Sequence, residues 1–259
     1  MSVQTANAPP KLVRGKTGRS PAPEEQGGKT VRRWALEISL LPIEPGRARP
    51  PRMTYEEFLA WADEDTLAEW VDGEVIMVSP ASSRHQDVVD FLTSVIRVYI
   101  ESRDLGMLRS APFQMKLEHG REPDLIFVRQ EHLSRLQETH LDGPADLVVE
   151  IMSPESVGRD RGEKFYEYAR GGVPEYWLID PQERWAEFYQ LQEGHYLPIL
   201  SGKAGKYHSS MLPGFWLQVE WLWQEPLPSP IHVLAEIVGM DPALAEAFEQ
   251  ALRGEGSSL

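Results

Sequence analysis

The 259 residues include no cysteine. This excludes disulfides, a thiolate nucleophile and sulfur-ligated zinc or iron–sulfur sites, and it suits a reducing cytoplasm. No apolar run approaches the roughly 18 residues needed to cross a bilayer. The N-terminal stretch MSVQTANAPPKLVRGKTGRS lacks the apolar block of a secretory signal. The expectation is therefore a cytoplasmic protein without a membrane partner. No internal repeat is found. Positive charge is scarce in most of the chain. Residues 1–52 hold ten Lys/Arg and four Glu, a charge of +6, which leaves −20 for the other 207 residues within the net −14. An acidic body argues against a broad phosphate-binding surface, an objection that any nucleic-acid reading must meet.

An apolar fraction of 41% is enough for a sizeable core. Three segments are expected: a basic extension over 1–52, a folded domain over 53–223, and a Pro-rich hinge with a helical tail over 224–259. The extension is rich in Pro, Gly, Arg and Lys and has no sustained period, which reads as disordered or loosely attached. Its run Trp34 to Leu40 could add an edge strand. A solvated leader is the plainer reading of this arm, and a basic arm touching nucleic acid is the sharper one.

In the folded domain, Thr54 and Glu57 have capping-box spacing and predict a short helix. Glu69 to Val78 reads as a hairpin turning at Asp72-Gly73 and ended by Ser79-Pro80. Ser83 and Gln86 suggest a second capping box. Behind them Val88, Val89, Leu92, Val95, Ile96, Tyr99 and Ile100 follow a 3.6-residue period to about Arg103. His85 falls on the same stripe in the helix's first turn, where a core role and a site role weigh about equally. Ala111 to Glu118 alternates as a half-buried strand, and Glu122 to Val128 is expected as its return strand. Residues 130–141 read as a short surface helix or loop.

Asp146 to Asp180 predicts strand, helix, strand, with the helix over Gly158 to Arg170. Trp185 to Leu191 and His195 to Leu200 predict an antiparallel edge hairpin turning at Glu193-Gly194. The aromatics from Phe215 to Trp223 are expected to pack rather than bind. A hinge over Glu225 to Pro230 and helices near Ile231–Ile237 and Pro242–Arg253 complete the chain.

The chemistry concentrates at strand ends. Asp124 opens one apolar strand, and Glu150 sits inside another. A buried carboxylate is costly unless a cation or hydrogen bonds answer it. Two carboxylates on neighbouring strands can hold Mg²⁺. Lys164 follows on the next helix, where Asp160, Lys164 and Tyr168 share a face at spacings of four. It could orient or deprotonate an attacking water. The plainer alternative is a surface ion pair between Asp160 and Lys164, and spacing alone does not separate the two.

The strings EPDLIFV, LVVEIMSP, GEKFYEY and GGVPEYWLID, with EWVDGEVIMVSP and RHQDVVDFL upstream, resemble the Uma-two family of restriction endonuclease-like proteins. That family lies within the PD-(D/E)XK nuclease superfamily, and the likeness covers about residues 53–200. It implies an α/β fold, a restriction endonuclease-like mixed β-sheet flanked by α-helices. It further implies Mg²⁺-dependent hydrolysis of DNA phosphodiesters, with Mn²⁺ as a substitute, by a bacterial protein acting as a homodimer. The superfamily's Asp and Glu match Asp124 and Glu150. Its lysine is expected two residues after the Glu, where this chain has Met152, and the role passes to Lys164. His85 matches a family histidine. Glu69 and Glu74 match acidic hairpin positions, and Glu69 is the favoured third metal ligand.

The expected catalytic set is thus Asp124, Glu150, Lys164 and His85, with metal on Asp124, Glu150 and Glu69 and with Tyr168 supporting the lysine. The rival reading is a catalytically inactive nuclease-fold module with an assembly or regulatory role, favoured by Met152 and the acidic body. A glycosidase built on the two carboxylates finds no support beyond scattered tryptophans.

Overall fold

The computed structural model describes residues 51–62, 66–77, 81–153 and 156–254. The readings for residues 1–50, including the run Trp34 to Leu40, and for Ser79-Pro80 lie outside the described residues.

Thr54 caps α1 (Tyr55–Trp61), and the hydroxyl and the Glu57 carboxylate accept from each other's backbone amides. β1 (Ala68–Val71) and β2 (Glu74–Met77) pair antiparallel. Asp72 and Gly73 between them take φ of 49° and 85°, the doubly left-handed turn whose twist matches the flanking strands. α2 (Ser83–Glu101) starts one residue earlier than the spacing suggested. Ser82 is its cap, with its side chain accepting from the His85 amide.

β3 (Gly106–Ser110), β4 (Gln114–Lys116), β5 (Gly120–Arg121) and β6 (Leu125–Arg129) correct the expected hairpin. β6 pairs with β3, which the sequence reading missed, whereas β4 pairs with β5. The reason is burial. Leu125 to Val128 are buried in succession, so β6 needs a sheet covered on both faces. Pro123 has no N–H for a ladder and marks the break.

A 3₁₀ turn over Gln130–Arg135 leads to β7 (His140–Asp142), which lies parallel to β4. β8 (Leu147–Ile151) and β9 (Glu175–Asp180) are parallel neighbours, so the chain between them must cross over a face of the sheet. The crossover is two helices rather than the expected one: α3 (Val157–Asp160) and α4 (Glu163–Gly171). Gly162, at φ −111° and ψ −97°, breaks them. β10 (Trp185–Gln192) and β11 (His195–Gly202) form the expected hairpin at the sheet edge. β12 (Lys206–His208) pairs with β13 (Trp216–Gln218). α5 (Pro230–Val238) and α6 (Pro242–Leu252) end the described chain.

The main sheet has six strands in the order β11-β10-β9-β8-β6-β3, and a second has five in the order β2-β1-β5-β4-β7. Both mix parallel and antiparallel neighbours, the mixed-sheet α/β architecture expected. Side chains alternate between the faces of the main sheet. Leu125, Phe127, Val149, Ile151, Trp177 and Phe188 join Leu92, Val95, Ile96 and Tyr99 of α2 in one core. Ile126, Val128, Val148, Met152, Tyr176 and Leu178 join Tyr168 and Ala169 of α4 in the other. Each buried Val, Leu, Ile or Phe contributes about 1.5–3 kcal/mol. Phe215, Leu217 and Trp221 belong to the α2-side core, so the late aromatics do pack.

Gly106 admits β3 beside β6. It takes φ +148°, and a Cβ there would lie 2.1 Å from the Val128 carbonyl oxygen. Gly106→Ala is expected to lower stability by about 2–3 kcal/mol, read as a drop in urea midpoint. An unchanged midpoint would show that β3 is not locked against β6.

Candidate active site

Glu150 sits in β8 on the face covered by α4. The β6–β8 register pairs Leu125 with Val149 and Ile126 with Val148. One step further along this ladder sets Asp124 opposite Glu150. Because β8, α3, α4 and β9 form one crossover unit, a lysine on α4 is carried back over Glu150.

The Lys164 ammonium lies 3.0 Å from Glu150 Oε1, 2.9 Å from Glu69 Oε1 and 3.3 Å from Asp160 Oδ1. Lys164, Glu69, Glu150 and Asp160 are each no more than 5% exposed. The surface ion pair considered for Asp160 and Lys164 is therefore a buried one, maintained across the break at Gly162. Tyr168 OH donates to the same Glu150 oxygen at 2.7 Å. Asp124 Oδ2 accepts from the Ile151 amide at 2.6 Å, and its Oδ1 is 3.2 Å from His85 Nε2. These contacts bring Asp124, Glu150, Lys164 and His85 together at one end of the main sheet. Met152, two residues beyond Glu150, is buried in the apolar core beneath α4 and supplies no charge.

Glu69 is placed differently from its expected ligand role. Its Oε1 meets Lys164, and its Oε2 accepts from Arg121 Nη1 at 3.2 Å. Both its oxygens face cations, while Asp124 and Glu150, whose own contacts are with His85, the Ile151 amide, Lys164 and Tyr168, stand opposite each other at the sheet end. Glu74 is exposed and pairs with Arg52. The sequence reading overlooked Arg121, Glu122 and Glu167. Glu167 was reachable, since it lies three residues after Lys164 on the same face of α4. Arg121 ends a two-residue strand and Glu122 follows it, so neither carries a periodic signal. Glu122 Oε2 accepts from the Ala68 amide and from Gln114 Nε2, and burial pushes its carboxyl up to about 7.

The electrostatics reflect a surplus of carboxylate. Burial drives the Glu150 carboxyl up to about 8, Lys164 pulls it down, and Asp160, Asp124 and Glu69 add to the rise. Burial disfavours the Lys164 ammonium, but Glu150, Glu69 and Asp160 outweigh it and hold the amine charged well above its usual range. Burial likewise opposes ionisation of Glu69, yet Lys164 and Arg121 bring it down to about 2. Burial works against an imidazolium at His85, and the Asp124 carboxylate overrides it, raising the histidine. The buried His85 Nδ1 has no hydrogen-bond partner among the described residues.

Asp124 and Glu150, at opposed register positions with an excess of negative charge around Glu150, are the residues that could hold a hard divalent cation such as Mg²⁺, which binds through one or two carboxylates and keeps several waters. A tighter cage is not present here. Among the described residues, only His232, Glu246 and Glu249 bring three potential ligand atoms within 4.8 Å of one another. That trio lies on α5 and α6, and Glu249 is already paired with Arg253. A cleft of about 720 Å³, lined by Arg84, Phe91 and Pro226 among others, includes none of the site residues.

The family model described as "Putative restriction endonuclease", Uma2, matches residues 55–220, a span that includes every residue of this site. The crystal structure of a putative nuclease belonging to DUF820 from Anabaena variabilis ATCC 29413 is similar, with a TM-score of 0.56 and 18% identity. The match covers 66% of this chain and 97% of that one, and at such identity the likeness shows the fold. No curated protein matches the sequence.

The raised Glu150 and Glu122 carboxyls set a pH dependence of stability. The native state holds these protons more tightly than an unfolded chain does. Their stabilising contribution is complete below the ordinary 4.5 and is lost as pH rises through about 7 for Glu122 and about 8 for Glu150. Glu69 acts in the opposite sense, but only below 4.5, toward about 2. Chelator-treated protein should therefore melt several degrees higher at pH 5 than at pH 8, and Glu150→Gln should flatten the slope. A melting temperature that rises across this window would contradict the assignment.

Proposed function

This chain belongs to the Uma2 family, and on that premise we propose that it is a metal-dependent endonuclease that hydrolyses DNA phosphodiester bonds. The observation that carries the proposal is the Lys164 ammonium set 3.0 Å from Glu150, with Asp124 at the opposed register position. It supplies from the helix the lysine that Met152 cannot supply from the strand.

Asp124 and Glu150 would hold Mg²⁺, or Mn²⁺ in its place. The ion would polarise a phosphoryl oxygen and lower the pKa of a bound water. Lys164 remains protonated with three carboxylate oxygens within 3.3 Å, so its role would be to hold Glu150 in place and offset negative charge at the site rather than to take a proton. Glu69 and Asp160 fix the lysine, and Tyr168 fixes Glu150. His85 pairs with Asp124 and limits the rotation of its carboxylate. A substrate as negative as DNA meets an acidic chain, so binding is expected to be weak and salt-sensitive, with the basic residues of 1–52 and the bound cation reducing the repulsion.

No helix among the described residues is long and apolar enough to cross a membrane, and a cytoplasmic homodimer remains part of the proposal. The second reading, an inactive nuclease-fold module, is favoured by one observation: the lysine already fills the space among Glu69, Glu150 and Asp160.

Nicking of supercoiled plasmid separates the two readings. With Mg²⁺ or Mn²⁺ the full chain should nick, and Glu150→Gln or Lys164→Met should reduce the rate at least ~100-fold. Addition of EDTA should abolish nicking. Equal rates in the parent and both variants would remove the nuclease assignment.

A further inference from the structure

Behind Lys164 lies a line of charged side chains for which the proposed chemistry has no direct use. Arg121 is 1% exposed. Its Nε donates to Glu167 Oε2 at 2.8 Å, its Nη1 donates to Glu69 Oε2 at 3.2 Å, and its Nη2 lies 3.7 Å from Glu163. Glu167 is itself held from the other side, accepting from the His119 amide at 2.9 Å and contacting His119 Nδ1 at 2.8 Å. His119 Nε2 reaches Asp72 in the hairpin turn at 3.2 Å. The line therefore runs from the β1–β2 turn through His119, Glu167, Arg121 and Glu69 to Lys164.

A buried guanidinium is costly to desolvate, and replacing such a network with apolar side chains is often neutral or stabilising. Stability alone is thus a poor reason for it. Geometry offers a better one. Glu69 stands on β1 in the smaller sheet, and Glu150 stands on β8 in the main sheet. Lys164 bridges them from α4. With one end of the Glu69 carboxylate free to rotate, its grip on the ammonium would be loose. Arg121 engages Glu69 with one arm and Glu167 of α4 with another. The fork thereby sets the position of β1 relative to the helix that carries the lysine, a task suited to a planar, multidentate cation.

We propose that Arg121 is a positioning residue for the candidate active site: its guanidinium fixes the Glu69 carboxylate, which in turn holds the Lys164 ammonium beside Glu150. Its effect on hydrolysis rests on the nuclease reading, but its effect on Lys164 does not.

The experiment uses the full chain with ¹⁵N-labelled lysine. In the parent protein, the buried Lys164 ammonium should give a slowly exchanging ¹H–¹⁵N cross-peak, identified by its loss in Lys164→Met. Arg121→Met should broaden or shift that peak, and Arg121→Lys should restore part of it. If Arg121→Met does not fold, Glu167→Gln gives the same test by releasing the guanidinium while leaving it in place. On plasmid, kcat should fall about 100-fold with KM unchanged, because a misplacement near 1 Å suffices for such a loss, and Arg121→Lys should recover part of the rate. A folded Arg121→Met or Glu167→Gln protein with an unmoved Lys164 signal would overturn the inference. If the parent protein does not hydrolyse DNA but the Lys164 signal responds as described, the nuclease reading fails and the positioning role stands.

Discussion

One ammonium group holds the site together. Lys164 is buried against Glu69, Glu150 and Asp160, all within 3.3 Å. Each partner comes from a different element: β1, β8 and α3. None of the four side chains would be tolerable in this interior alone, because an unpaired buried charge costs several kcal/mol. Together they constrain how the smaller sheet, the main sheet and the crossover helices meet. The contact is thus both a structural constraint and the feature that gives the sheet end its chemistry.

The same constraint accounts for a charged lysine beside Glu150 on the helix rather than two residues along the strand. Glu150 and Met152 point to the same face of β8, toward α4. Position 152 lies in an apolar core with Tyr168, Tyr176 and Leu178, where a lysine would need its own counter-charges. Position 164 already has them. Burial, and the negative charge that remains after Lys164 is counted, raise Glu150 and leave that end of the sheet with an excess of carboxylate.

Much of this was legible in the sequence where periodicity or turn chemistry is strong. Asp72-Gly73 and Glu193-Gly194 mark their hairpins because each turn requires positive φ. The apolar stripe of α2 and the buried runs of β6, β8 and β9 fix the main sheet. Asp124, Glu150 and Lys164 stood out as charge embedded in or beside those runs. What sequence could not supply was partner choice. Leu125 to Val128 is apolar on both faces and fits several neighbours, so its pairing with Gly106–Ser110 depends on a non-local decision. The break at Gly162 is similar: glycine permits a helix interruption without requiring one. Arg121 was missed because two-residue strands have no period, and its partners Glu69 and Glu167 lie 52 and 46 residues away. Glu69 was read as a ligand from its match to an acidic hairpin position of the family, and only the fold shows both its oxygens turned to cations.

The central claim is that Asp124 and Glu150 jointly receive a divalent ion while Lys164 stays on Glu150. A crystal soaked in Mn²⁺ and measured for anomalous scattering addresses it directly. The account predicts a peak between the Asp124 and Glu150 carboxylates, with Lys164 Nζ still within hydrogen-bond distance of Glu150. An empty sheet end, with manganese found only at His232, Glu246 and Glu249 or nowhere, would contradict it.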